Sequence, residues 1–265
     1  MKKLFLIAFC VTLAYNVSAQ DKNASSQDKK VDVKKALDDA KKKDKGKSRR
    51  QDRVVIDLFS DIWMNAPTDS MKIKQINRGA NAYFMYEFPF GKSNFSFAPG
   101  IGIGCTNLYS NAMPVKSFAY DSLGAKVYDG TTVFKKIPTE TLDNNQKINV
   151  KNNKFTIISL DVPLEFRYRT KNNQFKIYLG GKVGLTLTNY TKYNGDNFNE
   201  NYPTGSLRYK EYKIANVASY RYGLTARIGW KWVQAFGYYS LSNLFKKDKG
   251  PDMYPISVGI SITPY

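Results

Sequence analysis

The residues able to do chemistry in this chain are carboxylates and cations, spaced by two or four along segments of alternating polarity. Asp57 and Asp61 form one such pair, and Asp161 and Glu165 another. Arg167 follows Glu165 by two, and Glu87, Lys182, Arg221 and Arg227 occupy equivalent positions in other segments. Two neighbouring carboxylates can act as acid and base when their surroundings push their pKa values apart. The competing chemistry is mutual neutralisation, with acids and bases forming an internal ion-pair network. The composition favours the second. None of the 265 residues is His, so the side chain that titrates near neutral pH is missing. A Ser–His hydrolase is excluded in its usual form. Metal sites built on His or on several Cys are excluded as well. The expectation is a chain that is not an enzyme, with no catalytic, cofactor-binding or metal-binding residue. Gly100, Gly102 and Gly104 repeat every second residue. They mark a strand, and lack the spacing and following helix of a nucleotide-binding turn.

The charged residues must be positioned by strands. From Val54 onward, apolar and polar residues alternate with the period of two that separates the faces of a strand. Eight segments follow: Val54–Ile62, Gly79–Phe90, Phe95–Leu108, Thr156–Arg169, Phe175–Asn189, Ala215–Trp230, Val233–Leu244 and Tyr254–Tyr265. In the fourth, Ile158, Leu160, Val162, Leu164 and Phe166 oppose Asp161, Glu165, Arg167 and Arg169. In the fifth, Ile177, Leu179, Val183, Leu185 and Leu187 oppose Lys176, Lys182, Thr186 and Thr188. The connections alternate in length. Gly91–Asn94, Thr170–Gln174 and Lys231–Trp232 are short; Trp63–Arg78, Tyr109–Phe155, Tyr190–Ile214 and Phe245–Met253 are long. That alternation is how outer-membrane barrels are built, with short turns in the periplasm and long loops outside.

The polar face decides between a soluble and a membrane barrel. An eight-stranded barrel has an interior only wide enough for side chains. A soluble barrel would enclose its apolar face, as a lipocalin does, whereas this sequence carries charges of both signs on its polar face. Turned inside out, the pattern works: apolar residues meet lipid, polar residues fill the lumen, and closure leaves no backbone edge unpaired. Inner-face glycines at 100, 102, 104, 180, 184, 223, 229 and 259 are expected to leave room for Arg and Lys from facing strands. Phe88, Phe90, Phe95, Tyr168, Phe175, Trp230 and Trp232 gather beside the short turns like an interfacial girdle.

The N-terminus differs. Lys2 and Lys3, the apolar stretch Leu4–Tyr15 and the small residues before Gln20 read as a secretory signal over residues 1–19. Cys10, preceded by Ile7-Ala8-Phe9, makes a poor lipidation site. Cleavage would leave Cys105 as the one thiol, so no internal disulfide is expected. Residues 20–53 are rich in Lys, Asp and Ser and lack aromatics, a composition that cannot offset chain entropy by burial. The sequence therefore predicts an all-β protein. Its core is an eight-stranded antiparallel transmembrane up-and-down β-barrel over residues 54–265, preceded by a disordered N-terminal periplasmic tail.

Three segments carry a family resemblance. Ser159-Leu160-Asp161-Val162-Pro163-Leu164-Glu165-Phe166-Arg167-Tyr168 has a central Pro-Leu and a closing Tyr. Phe175-Lys176-Ile177-Tyr178-Leu179-Gly180-Gly181-Lys182-Val183-Gly184 is the following Gly-rich strand. Tyr239-Ser240-Leu241-Ser242-Asn243-Leu244 precedes the last long loop. Together they resemble the PorT-like outer-membrane β-barrel proteins of Bacteroidetes, over roughly Val54 to Tyr265. The resemblance implies residence in the bacterial outer membrane and, for some members, a part in type IX protein secretion. It carries no catalytic residues. The closing Pro264-Tyr265 departs from the more usual terminal Phe.

The net charge of +19 could serve nucleic acid, but in an exported chain it points instead to outer-membrane lipid, lipopolysaccharide and acidic partners. Tyr193, Phe198, Tyr202 and Tyr209, in the long loop from Tyr190 to Ile214, are candidate loop contacts for sugars or protein. The expected role is an envelope interaction or assembly component whose partners are envelope or secretion-machinery proteins. The alternative is a small porin-like channel, which an ionic eight-stranded lumen disfavours.

Overall fold

A computed structural model describes residues 53–140, 147–170, 172, 174–198 and 205–264. The signal segment, nearly all of the charged tail, Tyr202 and Tyr265 lie outside these residues. Twelve strands follow in chain order: β1 Val54–Met64, β2 Arg78–Met85, β3 Phe88–Pro89, β4 Phe95–Tyr109, β5 Ala112–Tyr120, β6 Lys126–Lys136, β7 Val150–Arg169, β8 Phe175–Asp196, β9 Ser206–Tyr212, β10 Tyr220–Trp230, β11 Val233–Ser240 and β12 Tyr254–Ile262.

Eight of them close into the predicted antiparallel barrel. Around the wall the order is β1, β2, β4, β7, β8, β10, β11, β12 and back to β1. Apart from the closing pair β12–β1, three steps around the wall (β2 to β4, β4 to β7 and β8 to β10) pass over strands outside the ring, and the rest join strands consecutive in sequence. The short β3 continues the line of β2 along β4. β9 pairs with the extension of β8 beyond the ring, and β5 and β6 form a separate hairpin. Closure leaves no open edge in the ring, which is what lets a sheet sit in hydrocarbon.

The alternation fixes which way each side chain points. On β1, Val54, Ile56, Leu58 and Ile62 are exposed while Val55, Asp57, Phe59 and Asp61 are buried. On β8, Leu179, Val183, Leu185 and Leu187 face out and Lys176, Tyr178 and Lys182 face in. The barrel thus buries charge and exposes aliphatic surface, the reverse of a water-soluble core. The short turns are tight. Gly91 supplies the left-handed backbone (φ 56°) of the turn into β4, and Lys231 adopts φ 53° between β10 and β11. Lys231 N donates to Gln174 O at 2.6 Å, tying two adjacent turns together.

Several boundaries differ from the sequence expectation, and each difference has a packing cause. β10 starts at Tyr220, because Ile214 and Val217 fold inward over the barrel mouth instead of extending the strand. β11 stops at Ser240, and Leu244 and Phe245 join the same apolar cluster. The connection from Tyr109 to Phe155 holds β5, β6 and the first residues of β7, and that from Tyr190 to Ile214 holds β9 and the far end of β8. A bulge at Leu187 on β8, where Ile158 pairs with Thr188 but Ser159 with Thr186, separates the ring from these extensions.

The inner glycines do a different job from the one expected. A Cβ at Gly102 or Gly223 would strike Tyr83 or Tyr238, and one at Gly100 would strike Met85. At Gly104 and Gly184 it would strike Asp161. The atoms nearest these positions belong to the adjacent strands, as side chains (Tyr83, Tyr238, Met85, Asp161) and as backbone, rather than to Arg or Lys from across the lumen. Phe59 is the clearest case. It is flanked in register by Gly79 on β2 and Gly259 on β12, and a methyl on either would overlap it.

Candidate functional site

The site is the barrel interior. Five carboxylates (Asp57, Asp61, Glu87, Asp161, Glu165) and six cations (Arg167, Arg169, Lys176, Lys182, Arg221, Arg227) are buried in the described barrel. Nearly balanced charge is what makes such a lumen tolerable, since an isolated buried ion is prohibitively costly.

The centre of the network is Arg227 on β10. Its Nη2 and Nε donate to Asp57 Oδ2 and Oδ1 at 2.8 and 3.2 Å, and its Nη1 pairs with Glu165. Glu165 Oε2 also accepts from Arg167 Nε at 2.9 Å, with Arg167 Nη2 2.8 Å away in the same ion pair. Toward the short turns, Arg169 pairs with Glu87, whose other oxygen accepts from Ser96 Oγ at 2.5 Å. A second group lies beside this chain. Lys182 Nζ is 3.0 Å from Asp161 Oδ2, and Tyr83 OH donates to the same oxygen at 3.2 Å. Rings fill the remaining space. Arg167 stacks on Tyr178, Arg227 on Phe236 and Lys182 on Tyr238, with centroid distances of 4.6, 5.0 and 4.3 Å. A guanidinium on an aromatic face keeps both charge complementarity and packing.

The residues expected in one network are therefore brought together unevenly. Asp57, Glu87, Asp161, Glu165, Arg167, Lys182 and Arg227 make ion pairs. Asp61 and Arg221 are buried on the same inner surface but are bound to hydroxyls, Asp61 by Ser257 Oγ at 2.5 Å and Arg221 to Thr106 Oγ1 at 3.3 Å. The carboxylate pairs that could have served as acid and base are separated by their partners. Asp57 goes to Arg227 while Asp61 goes to Ser257, and Asp161 goes to Lys182 while Glu165 goes to Arg167 and Arg227. The network also takes in Arg169 of the same polar face. Lys176 reaches Thr263 at 3.4 Å. Among the described residues no group of three or more potential metal ligands occurs.

An apolar cap lies over the long-loop end. Trp63, Met71, Leu108, Phe134, Phe155, Ile157, Ile214, Val217, Leu244, Phe245 and Met253 form one buried cluster. Phe134 comes from the hairpin β5–β6 and meets Phe245 edge-on at 5.9 Å. Charge patterning could not have revealed this cap, because its members come from four connections and from the strand ends beside them. The hairpin itself reaches outward, with Phe118, Tyr120 and Leu123 exposed. On it Asp129 accepts from Ser117 Oγ, Thr131 Oγ1 and Thr131 N at 2.6, 2.7 and 2.8 Å. These bonds hold its carboxyl below the usual range.

The candidate loop contacts divide. Tyr193 is fully buried; its hydroxyl donates to Asp196 O at 2.7 Å and Phe198 meets its ring edge at 5.1 Å. Both serve internal packing of the loop. Tyr209 is exposed and donates to Glu211. Partial burial and that carboxylate push its hydroxyl up to about 12.

A family model described as an outer membrane protein beta-barrel domain matches residues 58–246. The chain belongs to this family of outer-membrane barrels. Its residence in the outer membrane follows, and the exposed aliphatic wall is the lipid-facing surface. No curated protein and no solved structure matches the chain. The matched span runs from β1 through β11, so every carboxylate of the lumen except Asp57 falls inside it.

Proposed function

We propose that this outer-membrane barrel is a sealed, non-enzymatic anchor of the PorT-like kind, acting as an interaction or assembly component of the envelope in support of type IX secretion. The observation that carries the reading is the filled lumen. Ion pairs and stacked rings run from the Glu87–Arg169 level past Arg227 and Lys182, and the apolar cap covers the long-loop end. A barrel so occupied offers its surfaces rather than a passage. Wide aqueous lumens belong to barrels of about 16 strands. In this reading the short turns and the N-terminal tail face the periplasm, and the cap and the hairpin β5–β6 face outward. Partners are envelope or secretion-machinery proteins, met by the tail and the exposed Phe118, Tyr120 and Leu123.

Three measurements test it. In planar bilayers the purified chain is expected to give no steady conductance; a large steady conductance would favour the porin-like alternative. In cells lacking the chain, export of type IX cargo to the surface is expected to fall, and to recover with the full chain but not with one lacking the hairpin. Unchanged export would remove the secretion role. Deacylation of lipid by the purified barrel would overturn the non-enzymatic part.

A further inference from the structure

The ladders above the lipid-facing band place three lysines side by side. Lys154 on β7 is directly opposite Lys192 on β8, and Lys192 is directly opposite Lys210 on β9. Tyr109 on β4 continues the row on the other side. One step nearer the ring, Thr156, Tyr190 and Tyr212 form the next row of the same face, and Ile158 the row after that. Alternation along β7 makes this the face that carries Leu160, Val162 and Leu164 lower down. The lysine row therefore stands four residues, or about 13 Å of strand, beyond the last apolar row.

Like charges set directly opposite across a sheet destabilise it. Nothing on the described part of this face neutralises them. Lys154 Nζ reaches Asn107 Oδ1 at 3.4 Å. Lys210 lies over the rings of Tyr190 and Tyr212, at 4.3 and 4.5 Å. Of the carboxylates on these paired strands, Glu211 accepts from Tyr209 and Asp196 accepts from Asn149 N at 2.8 Å, and among the described residues neither forms an ion pair with the three lysines. Three cations spread over two strand spacings, about 10 Å, form a surface that an anion with several oxygens would bridge. The aromatic rung below them suits the boundary between acyl chains and headgroups.

We infer that Lys154, Lys192 and Lys210, with Tyr190 and Tyr212 beneath them, form an outer-wall binding site for the phosphate groups of a membrane lipid headgroup. The site rests on the family's membrane setting and is independent of any role in secretion.

The test is native mass spectrometry of the full chain released from detergent, with three probes. These are a bisphosphorylated lipid A, the same lipid with its phosphates removed, and inorganic phosphate. The expected result is retention of the bisphosphorylated lipid alone. Each Lys→Gln change is expected to weaken retention roughly fivefold, from about 1 kcal/mol per basic residue at an anionic surface. K154Q/K192Q/K210Q would then lose it nearly completely, and K231Q at the short-turn end would keep it. Equal retention of the dephosphorylated lipid, equal occupancy by inorganic phosphate, or full retention by the triple variant would each overturn the proposal. Heat-modifiable migration on gels reports folding. Should the triple variant fail to fold, K192Q alone, at an exposed position, decides by the same fivefold criterion.

Discussion

Arg227 on β10 holds Asp57 on β1 by two hydrogen bonds, across 170 residues of sequence. Two strands separate β10 from β1 around the wall, so the pair crosses the lumen instead of following the sheet. With Glu165 on the other side of the same guanidinium, one side chain ties three regions of the ring together.

Replacing Arg227 by Leu leaves Asp57 without its ion-pair partner in a buried site. The expected loss is about 3–5 kcal/mol, read as a lower midpoint in urea unfolding of the barrel in lipid vesicles. Adding Asp57→Asn to Arg227→Leu removes the stranded charge and is expected to recover part of the loss. Equal midpoints for Arg227→Leu and the unaltered chain would mean the pair contributes nothing.

Phe59 needs the two glycines beside it. Gly79→Ala places a methyl against its ring and is expected to cost about 1–3 kcal/mol. Combined with Phe59→Ala, the same change is expected to cost little further, giving a coupling in the double-mutant cycle. Strict additivity would show that the ring does not occupy that slot.

Asp129 sets a pH dependence for the hairpin β5–β6. Its folded pKa is depressed by hydrogen bonds from Ser117 and Thr131. The stabilisation is therefore complete above the unfolded value of about 3.9 and is lost as pH falls through the lower folded value. Acidification from pH 6 toward 3 is expected to speed amide exchange in the hairpin, corrected for intrinsic rates, while the ring stays protected. Asp129→Asn is expected to flatten that response.

The ring was legible in the sequence because lipid on one side and charge on the other impose a strict period of two, and short turns alternate with long connections. Pairing partners were not legible. Asp57 and Asp61 look equivalent in sequence, yet only the closure of β1 against β12 sets Ser257 beside Asp61. The cap was hidden because Met71, Phe134 and Phe245 sit in otherwise polar connections and Val217 in a segment whose alternation reads as strand. Tyr193 resembled a surface contact because its neighbours are Asn and Lys, but β8 carries it past the ring with its side chain turned inward. The lysine row becomes visible only when register aligns three strands whose extensions have the composition of loops.

The most direct test of the inverted barrel is a scan of lipid contact along β8. With Cys105 replaced by Ser, single cysteines at positions 176 to 187 carry a spin label, and collision with oxygen dissolved in the bilayer is measured against collision with a water-soluble nickel chelate. High oxygen access is predicted at 177, 179, 183, 185 and 187, and low access at 176, 178, 182 and 184. Uniform access along the strand, or the opposite alternation with Lys176 and Lys182 positions facing lipid, would contradict the account.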